Sequence, residues 1–192
     1  GDPGLSVTPR AAIEAMAGSS LEVHYVAAME NTRSRDTSTF DDAVAAAGRS
    51  DAVLLFLGEE SILSGEAHCR ADIDLPGAQQ ELIKRLRQAG KPIIGIILAG
   101  RPLTLASVID DLDAILYAWH PGSMAGPAIA DLVFGLVSPS GKLPVSFPKM
   151  VGQIPVYYGH KNTGRPPTPG SIVHIDDIPT AATQTSFGMT AF

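Results

Sequence analysis

Two short runs, residues 51–58 (DAVLLFLG) and 93–99 (IIGIILA), are almost entirely apolar and rich in leucine, isoleucine and valine. Runs of this length bounded by turn residues suit strands buried on both faces, and such strands belong to parallel sheets covered by helices. The rest of the chain fits that frame. A helix starts near Thr8 and Pro9, an N-cap and N1 pair, and residues 21–27 (LEVHYVA) read as a strand. Residues 39–48 read as a helix with Asp41 and Asp42 in its first turn and Gly48 as its stop. Residues 75–90 form the next helical pattern, with Pro76 near its start and Leu82, Ile83 and Leu86 on its apolar face. A short helix over 103–112, a strand over 114–119 and an amphipathic helix over about 123–136 complete the series. The order β-α-β-α-β-α-β-α predicts an α/β fold, a mainly parallel sheet sandwiched by helices with right-handed crossovers.

The 192 residues are 45% hydrophobic and 18% charged, enough for one domain that buries about 70% of its extended-chain surface. Beyond Pro148 the texture changes, and six of the fifteen prolines lie from Pro148 onward. We therefore expect an α/β sandwich domain over residues 1–148 and an extended Pro-rich arm over 149–192, packed on it or on a neighbouring domain. The net charge of −6, with no Lys/Arg stripe, argues against a nucleic-acid partner. The longest apolar stretch is far short of the ~20 residues that span a bilayer, so no membrane segment is expected. Residues 1–4 carry no signal-peptide pattern. A single cysteine, Cys69, excludes an internal disulfide and a multi-cysteine metal site.

In open α/β sheets ligands bind beyond the carboxyl ends of the strands. The loop after residues 51–58 holds Glu59, Glu60, Glu66, His68 and Arg70, with Asp72 and Asp74 close behind. A glutamate there could serve as a proton donor if burial or a neighbouring charge favoured its protonated form. The same residues also fit a solvated loop in which Arg70 pairs with Asp72 or Asp74, and composition does not choose between the two. Gly100-Arg101-Pro102 and His120-Pro121-Gly122-Ser123 follow the next two strands. Cys69 beside His68 is not a nucleophilic dyad, because neighbours on an extended chain point apart. His24, His120, His160 and His174 fit no metal spacing, and neither phosphate-loop nor nucleophile-elbow motifs occur. Ser123 reads as an N-cap.

Taken in order, 51–59 (DAVLLFLGE), 64–77 (SGEAHCRADIDLPG), 90–94 (GKPII), 100–103 (GRPL), 118–123 (AWHPGS), 139–148 (PSGKLPVSFP) and 155–166 (PVYYGHKNTGRP) resemble the C-terminal domain of glycoside hydrolase family 3, especially its bacterial periplasmic β-glucosidase branch. The resemblance spans roughly residues 8–170. It implies a retaining β-glucosidase acting on terminal β-D-glucosyl residues of a β-glucoside or oligosaccharide, periplasmic or secreted, with no cofactor. It further implies that an N-terminal barrel domain supplies the nucleophilic aspartate from a Ser-Asp-Trp-type motif, while this domain supplies the acid/base glutamate. Glu66 occupies the matching position, with Glu60 as the alternative. Glu59, His68 and Arg70 are the candidates for substrate contact, Glu59 also for a structural hydrogen-bonding role. Where the family usually reads Glu-Gly-x-Asp-Arg, this chain reads Glu66-Ala67-His68-Cys69-Arg70. Its one Ser-Asp pair, Ser50-Asp51, runs into a buried strand, so the nucleophile and barrel are expected to lie outside these 192 residues and the piece alone to be inactive. The competing expectation is a non-catalytic carbohydrate-binding or interaction module.

Overall fold

Three parallel strands form one sheet: β1 (Val53–Gly58), β2 (Ile93–Leu98) and β3 (Ala114–Tyr117), in the order β1-β2-β3. The computed structural model describes residues 3–159 and 161. Val53 lies opposite Ile93 and Gly58 opposite Leu98, while Ile94 lies opposite Ala114. All three strands therefore end on one side of the molecule. Among the described residues four α-helices accompany the sheet: α1 (Pro9–Ala17), α2 (Phe40–Arg49), α3 (Gln79–Arg87) and α4 (Ala125–Val133). The architecture is the α/β fold with a parallel sheet that the apolar runs predict.

The main core lies between the sheet and the α2–α3 pair. Phe40, Ile83, Ile93 and Ile97 are fully enclosed there, with Leu55, Leu57, Leu82, Leu86 and Leu103 packed around them. Arg85 reaches across from α3 to Asp41 at the start of α2 at 2.9 Å. α1 packs on α4, and Gly126 makes the approach possible: its N–H donates to Val7 O at 3.2 Å, where a Cβ would run into the backbone of Val7 and Thr8. As expected, Thr8 caps α1, its Oγ1 accepting from Ala11 N–H at 3.2 Å, and Pro9 takes the first helical position.

Several elements differ from the sequence reading. Residues 21–27 are no strand: Val26 reaches the core and alternates with exposed Tyr25 and Val23, yet no ladder partner lies alongside among the described residues. Period-2 alternation reports one-sided burial, which an extended segment achieves without pairing. The helix expected over 75–90 begins only at Gln79. Gly77 has φ +64°, and its Cα lies against the backbone of residues 32–34, so Pro76-Gly77 is a turn and not the opening of the helix. The helix over 103–112 shrinks to a 3-10 turn at Ile109–Asp111, because Thr104 pairs instead as an isolated bridge with Asp74. α2 runs through Gly48 to Arg49. β1 is not covered on both faces either: Phe56 is 38% exposed, as is Ile115 of β3 at 36%.

At the far end, Phe147 and Pro148 are buried, a 3-10 turn follows at Val151–Gln153, and Tyr157 and Tyr158 stand exposed. Most of the expected arm, with His160 and His174, lies outside the described residues.

Candidate active-site loop

The carboxyl edge of β1 is sealed by a side chain. Gln79, buried at the first turn of α3, accepts from Gly58 N–H at 2.8 Å and donates to Gly58 O at 2.8 Å, matching a peptide with its own amide. The same Nε2 also lies within bonding distance of Thr32 O and Pro76 O. One residue on, Glu59 N–H donates to Leu98 O at 2.9 Å, extending the ladder, and its side chain turns inward.

The Glu59 carboxylate is completely enclosed, each oxygen held by a different guanidinium: Arg70 at 2.5 Å and Arg101 at 3.1 Å. An enclosed carboxylate is tolerable only when paired and hydrogen-bonded, and this one is. The two cations outnumber their anion, and one further nitrogen of each donates to backbone carbonyls. Arg70 donates to Asp74 O at 3.0 Å; Arg101 donates to Leu63 O and, at 3.1 Å, to His68 O. The expected pairing of Arg70 with Asp72 or Asp74 side chains does not occur. Asp72 caps Asp74 N–H at 2.9 Å, and Asp74 accepts from the Thr104 hydroxyl.

Glu60 is committed on the outside. It accepts from Thr32 N–H and Oγ1 at 3.2 Å each and pairs with Arg33 at 2.6 Å. Burial pushes its carboxyl up, but the hydrogen bonds from Arg33 and Thr32 and the Arg33 charge outweigh that and hold it below the ordinary glutamate value. A carboxyl so held resists protonation, the opposite of what a proton donor needs.

Glu66 differs from both. It sits in the turn 65–68, closed by His68 N–H donating to Gly65 O at 3.1 Å, and its side chain is exposed. Among the described residues nothing hydrogen-bonds or ion-pairs with it. Ala67, beside it, has φ +63°, a left-handed conformation that costs an L-residue about 1–2 kcal/mol and glycine nothing comparable. This is the position at which the resemblance expects glycine, the residue that adopts such a conformation freely. His68 and Cys69 are exposed.

The other two strand ends support the loop from below. Tyr117 donates to Arg101 O and accepts from Leu103 N–H at 3.1 Å; burial raises its phenol to about 12, against the lowering effect of the Leu103 bond. Trp119, at φ +53°, packs on Tyr117 with ring centroids 4.6 Å apart, and Phe147 meets both rings at 4.9 and 5.9 Å. Ser64 Oγ lies 3.5 Å from His120 Nε2, and Gly100 passes beneath this pair, where a methyl group would overlap both side chains. An open cleft of about 660 Å³ flanks the loop, lined by Arg33, Arg35, Arg70, Asp72 and Asp74 among others. Among the described residues no three His, Cys, Asp or Glu side chains gather as a metal-holding group, and no helix is long and apolar enough to cross a membrane.

The loop thus gathers Glu59, Arg70 and the backbone of His68 around Arg101, with Glu66 at its tip. Arg101 was visible in the sequence as a lone arginine after β2, but its link to a glutamate 42 residues away was not. The family model for the glycosyl hydrolase family 3 C-terminal domain matches residues 2–182. The chain belongs to glycoside hydrolase family 3. It is 49% identical over 129 residues to a periplasmic beta-glucosidase of Salmonella typhimurium, covering 67% of this chain and 17% of that protein. It is 44% identical over 119 residues to a beta-xylosidase of Formosa agariphila, covering 62% and 16%. A crystal structure of a mutant (D270A) beta-glucosidase from Listeria innocua in complex with laminaribiose superposes on 88% of this family 3 chain and 22% of its own, with a TM-score of 0.76 at 38% identity. The chain therefore spans about a sixth of the length of these curated relatives and about a fifth of the solved one.

Proposed function

We propose that this family 3 domain serves a retaining β-glucosidase in which Glu66 is the general acid and then the general base, while the nucleophilic carboxylate comes from an N-terminal barrel domain. Retention needs two carboxyls about 5–5.5 Å apart, one attacking the anomeric carbon, the other protonating the departing oxygen and later activating water. The observation that carries the reading is the division of labour among the three loop glutamates: Glu59 is enclosed between two arginines, Glu60 is held anionic by Arg33 and Thr32, and Glu66 alone faces outward with no partner among the described residues. A carboxyl donates protons near neutral pH only where low-dielectric surroundings or a negative neighbour favour its protonated form. On this chain Glu66 faces solvent, so those surroundings must come from the surface that closes over the loop. Glu59 and Arg70 then act by holding the loop, and the exposed His68 is the candidate for substrate contact. Residues 149–192 read as an arm that packs on this domain or on its neighbour. The relatives are named as beta-glucosidases and beta-xylosidases; the 49% identity to the periplasmic beta-glucosidase of Salmonella typhimurium supports a β-glucoside substrate and a periplasmic or secreted location.

The test uses the domain joined to its N-terminal domain. Glu66→Gln should lower kcat/KM for alkyl β-glucosides by about 10²–10⁴-fold, the usual contribution of a positioned acid. For 2,4-dinitrophenyl β-glucoside, whose leaving group needs no proton, the same value should hardly change. Equal losses on both substrates would remove Glu66 from the acid role, and unchanged rates on both would favour a non-catalytic module.

A further inference from the structure

We infer that Arg101 is a positioning residue for the acid/base turn, a role that rests on the assignment of Glu66 above. Its guanidinium contacts the loop at both of the turn's flanks: Leu63 O, three residues before Glu66, and His68 O, two residues after it, both accept from the same nitrogen. These two carbonyls frame the segment that carries Glu66, so one planar group sets the width and the height of the turn. The residue is itself held at both ends, the guanidinium by Glu59 and the backbone by Tyr117. Nε donates to the enclosed Glu59 carboxylate, Glu59 is held in turn by Arg70, and the Arg101 carbonyl accepts from Tyr117. Among the described residues no helix or strand hydrogen bond reaches residues 65–68, and within the turn the backbone is closed by the His68–Gly65 bond. The turn also contains a left-handed alanine, which persists only where surrounding contacts enforce it. Arg101 supplies such contacts.

Lysine cannot reproduce this. An ammonium is a compact point charge, whereas the guanidinium fork offers several donors in a fixed plane. Arg101→Lys therefore keeps a cation against Glu59 and releases one or both carbonyls. Displacement of a reacting group by about 1 Å costs on the order of 10²-fold in rate.

In the enzyme joined to its N-terminal domain, Arg101→Lys should lower kcat/KM for an alkyl β-glucoside by about 10–10²-fold. With 2,4-dinitrophenyl β-glucoside, where the acid is idle, it should change less than about threefold. Amide hydrogen exchange at His68 should quicken in the same variant, since its carbonyl tether and turn bond loosen together. A parallel loss on both substrates, or no loss with unchanged exchange, would overturn the proposal. The triple variant Glu59→Leu, Arg70→Met, Arg101→Met removes the buried charges together and should also fold, because replacing a whole buried ionic cluster by apolar groups is often neutral; it should show the same substrate-selective loss, and full activity on the alkyl glucoside would equally refute the role. Glu66→Gln measured alongside separates the two claims. If it shows the selective loss and Arg101→Lys does not, positioning fails and the acid assignment stands. If Glu66→Gln shows no selective loss, the acid assignment itself has failed.

Discussion

Three glutamates within eight residues reach three different chemical states, and each state is set by which arginine lies within reach. Glu59 illustrates the largest stake. Glu59→Gln would leave Arg70 and Arg101, each less than a fifth exposed, facing a neutral amide. Removing one member of a buried ionic cluster costs about 3–5 kcal/mol. The urea midpoint should fall accordingly without a change in slope. Ala67 offers the opposite case. Ala67→Gly removes left-handed strain of about 1–2 kcal/mol and adds about 0.5–1 kcal/mol of backbone entropy to lose. The variant should be more stable by about 0.5–1 kcal/mol, read as a rise in melting temperature of about 1–4 °C. These outcomes were not legible in the sequence, because the loop's charges are sorted by long-range contacts. Arg70, eleven residues from Glu59, was singled out as a site residue, but for a different purpose; Arg101 became meaningful only when β2 brought it beside β1.

Elements with a strong local signal were legible. The three strands sit where continuous apolar runs put them, and α1 starts at the Thr8-Pro9 signal. Thr8→Ala should cost about 1 kcal/mol by orphaning the Ala11 N–H, and the loss should show as faster hydrogen exchange at that amide together with a lower urea midpoint. The misread elements share one cause. Residues 21–27, 75–78 and 103–108 each carry an apolar pattern, yet their backbone partners are elsewhere: Ala17 O for Leu21 N–H in the first, Ser34 O for Ala78 N–H in the second, Ile73 O and the bridge to Asp74 for Thr104 in the third. Pattern reports which side chains are buried. It does not report which peptide groups pair, and only the assembled chain decides that.

For the molecule as a whole, this family 3 chain covers about a sixth of its curated relatives, and the proposed function gives it one edge of a site. The proposed mechanism requires a second carboxylate about 5–5.5 Å from the first, and the other two loop glutamates are already paired with arginines. These 192 residues alone should therefore give no detectable hydrolysis of 4-nitrophenyl β-glucoside. Adding the N-terminal domain should restore it, with the initial rate as the measurement. Turnover by this chain alone would contradict the two-domain reading.

Gln79 also governs the order in which the chain becomes safe from itself. Among the described residues β1 is an edge strand, and the outward-facing peptide of Gly58 is the kind of open position onto which a second polypeptide can add. The Gln79 amide occupies both of its hydrogen-bonding groups. During synthesis Gly58 leaves the ribosome 21 residues before its guard. Until α3 has emerged and docked, nascent chains on neighbouring ribosomes share an unclaimed strand end.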